Sequence, residues 1–343
     1  MTSTGTSLLS RKTLYLLERR VYWSGMQVDY LNRTSSRKTE GARIFARLKG
    51  NQTTLDGAEF SATMDTSKRR LAHASLFGTG ALVGHFRCSV IVAHPADEII
   101  GAGGLISKLS DVTVIHLTDG APRNTQIVHD AGFEGREDYA EARRRECISA
   151  LALANVSPDC VLELDIGDHQ APHFLTDLSK RLTTLLQQSA PDIVLTHPYE
   201  GGHPDHDAAA FATNAAVRLL KRHGFKPPAL FEMALHPGRD GEMRVLDFLP
   251  SPGRETTTLM LDDESQELKR RMYACFATQG ESLKENPLGP EKFRRPPAYD
   301  FTLPPQRGKL NYENFDREFT GEEWQLLACK AWMDLFPEEA AAH

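Results

Sequence analysis

The stretch SVIVAHPADEIIGAGGLISKLSDVTVIHLTDG, residues 89–120, decides the fold. Its opening, CSVIVA (88–93), is a continuous apolar run, as expected of a strand buried on both faces. GAGGLISKLS (101–110) reads as a helix with a small-residue start, and DVTVIHLTD (111–119) as a second buried strand. The same alternation continues downstream, with strands at 160–166, 191–197 and 228–236 and helices at 137–156, 175–189 and 203–222. Pro204 falls in the first turn of the last of these helices, where proline is tolerated. Strands alternating with helices predict an α/β domain with a doubly wound, mainly parallel sheet and helices on both faces. Beyond residue 255 follow a helix (263–277), a Pro-rich stretch (287–308) and a terminal helix (320–336).

The 343 residues are 40% hydrophobic and carry a net charge of −6, so nothing in the bulk pulls toward nucleic acid or an anionic membrane. The charge is uneven, at +8 over residues 1–87 and −14 over the rest. Residues 1–85 lack lasting periodicity beyond a short amphipathic segment, LLSRKTLYLLERRVYW. They read as a basic, poorly ordered extension, with an RNA- or membrane-contacting arm as the alternative. The leader is Arg-, Ser- and Thr-rich, as in a transit peptide, but Glu18 and Asp29 count against one, and no secretory h-region is present. The expected location is therefore the cytoplasm. No 18-residue apolar run predicts a membrane span. Five scattered cysteines without C-x-x-C spacing argue for reduced, mostly buried thiols rather than a disulfide framework or a thiolate zinc site.

Doubly wound sheets place their sites at the carboxyl ends of strands. Three predicted strands end in AHPADE, TDGAPRN and THPYEGGHPDH, so all three should open on one face. His94 and Asp97, three apart past a strand, form a weak metal-pair signal alone. His203 and His206, three apart at a helix start, share nearly one face and form a stronger one. Two such pairs on one sheet edge supply the N/O ligands of a catalytic zinc site with an open position. Such a metal lowers the pKa of bound water to ~7 and polarises a carbonyl.

AHPADE and HPDHDAAAF resemble the two signature boxes of the PIG-L/LmbE-like family of zinc-dependent N-acetyl-sugar deacetylases, which have a Rossmann-like sheet. The similarity extends through HLTDGAPRN, EARRREC, THPYEGGHPDH and RMYACFATQGESL, over residues 86–336. Residues 1–85 have no counterpart in it. The resemblance implies a Zn2+ cofactor and an N-acyl amino sugar or glycoconjugate as substrate. It implies that His94, Asp97 and His206 are the metal ligands. It makes His203 the group that stabilises or protonates the tetrahedral intermediate, and Asp205 its orienting partner. The family's general base is the first acid after AHP, and here that position is Ala96. Three readings of Ala96 stand side by side: an introduced inactivating change, natural drift to a weak or silent relative, or a base supplied elsewhere. Glu98, about 100° round a helical turn from Ala96, is expected to point away from that position. His203 or Asp205 acting through a water remains open as the base.

Other polar residues have bland readings beside the functional ones. Arg123 holds a substrate hydroxyl or phosphate, or is a surface arginine. Tyr199 and Glu200 precede His203 and are expected near the substrate mouth. Asp119 reads as a turn cap, His197 as structural or supporting, and His116 as a satisfied core histidine. His169 and His173 flank a loop that is expected to line the pocket. GAGG (101–104) lacks the G-x-G-x-x-G of a dinucleotide site and fits a helix packed close to the sheet. Two function classes therefore compete, a zinc amidohydrolase and a catalytically silent metal- or sugar-binding relative. A nucleotide-dependent oxidoreductase has no fingerprint here.

Overall fold

In a computed structural model, the described residues are 86–340, apart from 236–237, 240–241, 244–245, 251–254, 281–282, 284–285, 307 and 315–318. The expected basic extension over 1–85 lies outside them. Among the described residues, nine strands and eight α-helices follow one another along the chain. They are β1 (Arg87–Val92), α1 (Asp97–Ile106), β2 (Asp111–Thr118), α2 (Thr125–Asp130), α3 (Arg136–Ala152) and β3 (Val161–Ile166). Then come α4 (Leu175–Ser189), β4 (Ile193–Thr196), α5 (Pro204–Arg222) and β5 (Ala229–Met233). A two-residue hairpin follows, β6 (Gly238–Arg239) with β7 (Glu242–Met243), and then β8 (Thr256–Leu259) and α6 (Asp263–Ala274). The chain closes with β9 (Glu291–Arg294), α7 (Gly321–Leu335) and α8 (Pro337–Ala340).

The main sheet runs β3-β2-β1-β4-β5-β9-β8. Strands β1 to β5 are parallel, and β9 and β8 add an antiparallel edge. Alternation along the strands sends side chains to two separate cores. Val90 and Val92 of β1 pack with Val112 and Val114 of β2 under α1, α3 and α6. Ile91 packs with Ile115 and Leu117 on the opposite face, under α4, α5 and α7. The sheet is thus wound on both faces, and its order reverses between β1 and β4. That is the crevice where open α/β sheets place their ligands.

Two local readings are corrected. Helix α1 begins at Asp97, inside the AHPADE box, rather than at Gly101. It breaks at Ala102 (φ −146°, ψ 15°), where a buried ion pair takes up the freed backbone groups. Glu291 accepts from the N–H groups of Gly104 (2.7 Å) and Leu105 (2.9 Å), and Lys269 Nζ donates to Ile100 O (2.8 Å) and to Glu291 Oε1 (2.8 Å). Gly101 and Gly104 face Met233 and Leu261 so closely that an added Cβ would meet them at 2.7 and 2.5 Å. The small residues do serve close packing. Within the Pro-rich stretch, EKFR forms β9 and seals the sheet edge beyond β5. Its four residues carry too little periodicity to be read as a strand.

Candidate metal centre

At the carboxyl ends of β1, β3 and β4 the loops bring together His94, Asp97, Asp168, His169, His197, His203, Asp205 and His206. The turn after β1 is held open by a backbone that few residues adopt. Ala96 sits at φ 99°, ψ −23°, in the left-handed region. Arg143 of α3 fastens this turn, donating from Nη2 to Pro95 O (2.9 Å) and from Nη1 to Gly120 O. The Arg/Glu helix therefore ties the β1 and β2 loops together, and Glu146 on the same helix accepts from Thr278 N (3.1 Å).

Asp97 Oδ2 is the hub. It accepts from His94 N (2.8 Å) and lies 3.2 Å from His94 Nδ1, 3.4 Å from His197 Nε2 and 3.5 Å from His206 Nε2. On its other edge, His94 Nε2 lies 3.0 Å from Asp168 Oδ1 and 3.2 Å from Asp205 Oδ2. Burial works against a charge on His94, but Asp97, Asp168 and Asp205 outweigh it and hold the pKa well above the ordinary imidazole value. Asp97 is likewise buried, yet the surrounding histidines pull its pKa well below that of a free carboxyl. The cluster stabilises positive charge at its centre. Tetrahedral zinc with N and O ligands at about 2.0–2.2 Å sets those ligands about 3.3 Å apart. Asp97 Oδ2 has such spacings to His94 Nδ1 and His206 Nε2, and among the groups whose ligand atoms all lie within 4.8 Å of one another are His94, His203 and His206 on one side and Asp97, His197 and His206 on the other. The expected ligand set of His94, Asp97 and His206 thus draws on both groups, which share His206.

His203 caps α5, with Nδ1 accepting from Asp205 N (3.2 Å). Its proton therefore sits on Nε2, which donates to His169 Nε2 3.3 Å away. Burial and the neighbouring His94, His206 and His169 push the His203 pKa well down, so the ring is a neutral donor. Burial and His197 also depress His206, to about 4. Asp205 is fully buried and saturated: Oδ1 accepts from Ala171 N (3.0 Å), and Oδ2 from His169 N (2.7 Å) beside His94. Its carboxylate therefore braces the β3 loop and His94, and it meets His203 only through its backbone N–H. His197 stacks on His206 (4.0 Å, 18°) and accepts from Ala93 N (3.0 Å), which makes it a support.

Glu98 faces the opposite way, into the dry interior between α1, β2 and α3. Its carboxyl accepts from Ala96 N (3.1 Å) and Cys147 Sγ (3.2 Å) and lies 3.1 Å from His116 Nε2. His116 is thus a core histidine satisfied at one nitrogen only, since its Nδ1 is buried without a partner.

The residues expected at the substrate mouth diverge. Arg123 is exposed in the loop after β2. Tyr199 turns into a C-terminal aromatic cluster. Its hydroxyl donates to Leu303 O (2.8 Å) and accepts from Trp324 Nε1 (2.5 Å), beside Phe301 at 4.8 Å. Glu200 is buried with Arg294, Nη2 to Oε1 2.8 Å, and accepts from Leu249 N (2.9 Å). Burial raises its pKa from 4.5 to about 7 despite Arg294. Both residues are drawn away by residues 248–324, which no local pattern around Tyr199 reveals. Asp119 does cap a turn, accepting from Ala121 N (2.9 Å) and Asp168 N (3.1 Å). His173 is exposed and packs edge-on against Phe319. Sequence reasoning missed Asp168. Its only signal was its place in GDHQ, just past the end of β3.

Residues 89–217 match the sequence model of PIG-L, GlcNAc-PI de-N-acetylase. The stretch is a PIG-L domain. Beyond it, the chain is 36% identical to the diacetylchitobiose deacetylase of Thermococcus kodakarensis over 37% of this chain and 47% of that protein, so it spans about half of that relative. It is 26% identical to the 1D-myo-inositol 2-acetamido-2-deoxy-alpha-D-glucopyranoside deacetylase of Corynebacterium diphtheriae, over 57% of this chain and 76% of the relative. Among solved structures, a deacetylase of teicoplanin biosynthesis covers 61% of this chain and 96% of its own, at 17% identity and a TM-score of 0.48. The fold rests on the strand order itself. The PIG-L domain contains the whole His/Asp cluster. No helix among the described residues is long and apolar enough to cross a membrane. All five cysteines are free, with Cys88 and Cys147 buried and the other three half-buried.

Proposed function

We propose that the protein is a zinc-dependent amidohydrolase that removes an N-acyl group from an amino-sugar-type amide. The carrying observation is that His94, His203 and His206 come together at the switch point between β1 and β4, with Asp97 3.2 Å from His94 and 3.5 Å from His206. Zinc held by these residues would supply Lewis-acid polarisation of the amide carbonyl and a water of lowered pKa. His203, neutral and carrying its proton on Nε2, would donate a hydrogen bond to the developing oxyanion. Asp168 and Asp205 orient His94 through Nε2, which leaves Nδ1 for the metal. The relatives' names place sugars among their substrates, which supports an N-acetyl amino sugar as the substrate class here.

Ala96 favours a second reading, a silent relative that keeps the pocket and only binds. None of the three alternative bases raised by the sequence is well placed, His203 because its Nδ1 is engaged by Asp205 N–H and its Nε2 carries the proton. Asp205 is saturated, and Glu98 is engaged on the far side of the turn. The deciding experiment is Ala96→Asp, assayed on N-acetylglucosamine-containing substrates with zinc content measured alongside. A general base contributes about 10²–10⁴-fold, and a gain of that size is expected. Bound zinc with no turnover in either form would favour the binding module, and no bound zinc would sink the site.

A further inference from the structure

Behind the Ala96 turn lies a second group of metal-ligating side chains that plays no part in the chemistry above. Glu98 comes from the first turn of α1, His116 from β2 and Cys147 from α3. All three are buried, and their ligand atoms lie within 4.8 Å of one another. We infer that Glu98, His116 and Cys147 form a second, structural site for a divalent cation of the zinc class.

The geometry carries this. Cys147 Sγ is 3.2 Å from Glu98 Oε1 and 3.9 Å from His116 Nε2, and Glu98 Oε2 is 3.1 Å from His116 Nε2. Zinc bonds of about 2.3 Å to sulfur and 2.0–2.2 Å to nitrogen or oxygen set tetrahedral ligands about 3.3–3.6 Å apart. The observed edges bracket that range. The carboxyl presents one oxygen to the thiol and the other to the imidazole, so three side chains converge with one ligand atom each within reach of a common ion. A thiolate and an imidazole select zinc, cobalt or similar ions over magnesium or calcium.

Two negative ligands and one neutral imidazole cancel a 2+ charge, which makes the ion acceptable in an apolar interior. Binding releases the Cys147 thiol proton to solvent and forms the metal–sulfur bond in its place. Because the site is closed to water, the ion enters as the chain folds. Once in place it ties α1, whose first residue is Asp97, to β2 and α3. It thereby holds the turn that carries the catalytic ligands.

The test is production of the protein in cobalt-supplemented medium, followed by elemental analysis and absorption spectroscopy. His94, Asp97 and His206 offer only nitrogen and oxygen, so of the two sites only this one gives a thiolate-to-cobalt charge-transfer band, and Cys147→Ala separates it from the other four free thiols. Two equivalents of cobalt and that band are expected in the unaltered chain. Cys147→Ala should lose the band and one equivalent, whereas His206→Ala should lose one equivalent and keep the band. The band without the His206-dependent equivalent would break the proposed catalytic centre and leave this site standing. Absence of the band in the unaltered chain would overturn it, showing a cluster closed by hydrogen bonds alone. So would a band that survives Cys147→Ala. Absence of the band in the unaltered chain overturns the site even if the variants do not fold, and the conservative Cys147→Ser should replace the band with the spectrum of a site without sulfur.

Discussion

Asp97 and Glu98 are neighbours in sequence and belong to opposite regions of the molecule. Asp97 enters a cleft-side cluster of histidines in which several partners compete for one oxygen. Glu98 enters a dry pocket where each oxygen already has a partner. One polar group is positioned to act on something that arrives; the other is consumed by the fold. The difference comes from the left-handed turn at Ala96 and the helix that starts at once behind it. Consecutive residues of that first turn point about 100° apart.

Glu98→Ala should expose the contrast most strongly. It strips a partner from three buried donors, Ala96 N–H, Cys147 and His116, and unsatisfied buried groups cost about 1–3 kcal/mol each. Chemical denaturation should show a loss of roughly 3 kcal/mol or more. A loss under about 1 kcal/mol would mean that the interior region is no more committed than the cleft.

Asp168→Asn probes the cleft side, where the fold should tolerate the change and the site should not. Partners of metal-binding histidines are worth about 10–100-fold in metal affinity or activity, and Asp168 touches His94 Nε2 at 3.0 Å. Metal titration should show a drop in that range with little change in melting temperature. The reverse pattern would assign Asp168 to the fold.

Glu200 sharpens the interior side through pH. Burial raises its folded-state pKa from 4.5 to about 7. Below pH 4.5 both folded and unfolded chains hold its proton, so its contribution to stability is complete. As pH rises through 7 the folded chain must ionise a buried acid, and that contribution is lost. Stability measured from pH 4.5 to 7.5 should therefore fall at Glu200, by about 2 kcal/mol. Glu200→Gln should flatten that slope, and an unchanged slope would move the effect to another group.

The smallest effect is expected at Ala96→Gly. A residue at φ 99° is strained unless it is glycine, so relief of roughly 0.5–1 kcal/mol is expected, partly offset by glycine's greater freedom in the unfolded chain. A clear destabilisation would show that the Ala96 methyl packs better than its backbone suggests.

Much of this was legible beforehand. Buried strands declare themselves as apolar runs and helices by their period, and β1 to β5 follow the reading closely. The two boxes were legible because candidate ligands three apart at the end of a strand are local features. Tyr199 and Glu200 were misplaced because their partners, Trp324 and Arg294, lie about a hundred residues away. Asp168 was passed over because nothing in GDHQ says that the loop bends back to His94.

The sequence by itself determined the doubly wound α/β class, the edge of the sheet where the His/Asp boxes meet, and the alanine at position 96. Local side-chain period and residue type suffice for each of these. Only the tertiary structure decided that Asp97 faces the cleft and Glu98 the core, that Asp168 joins the site, and that Asp205 braces it. Those outcomes depend on which distant loops meet a turn held by a left-handed alanine. No spacing along the chain encodes that meeting.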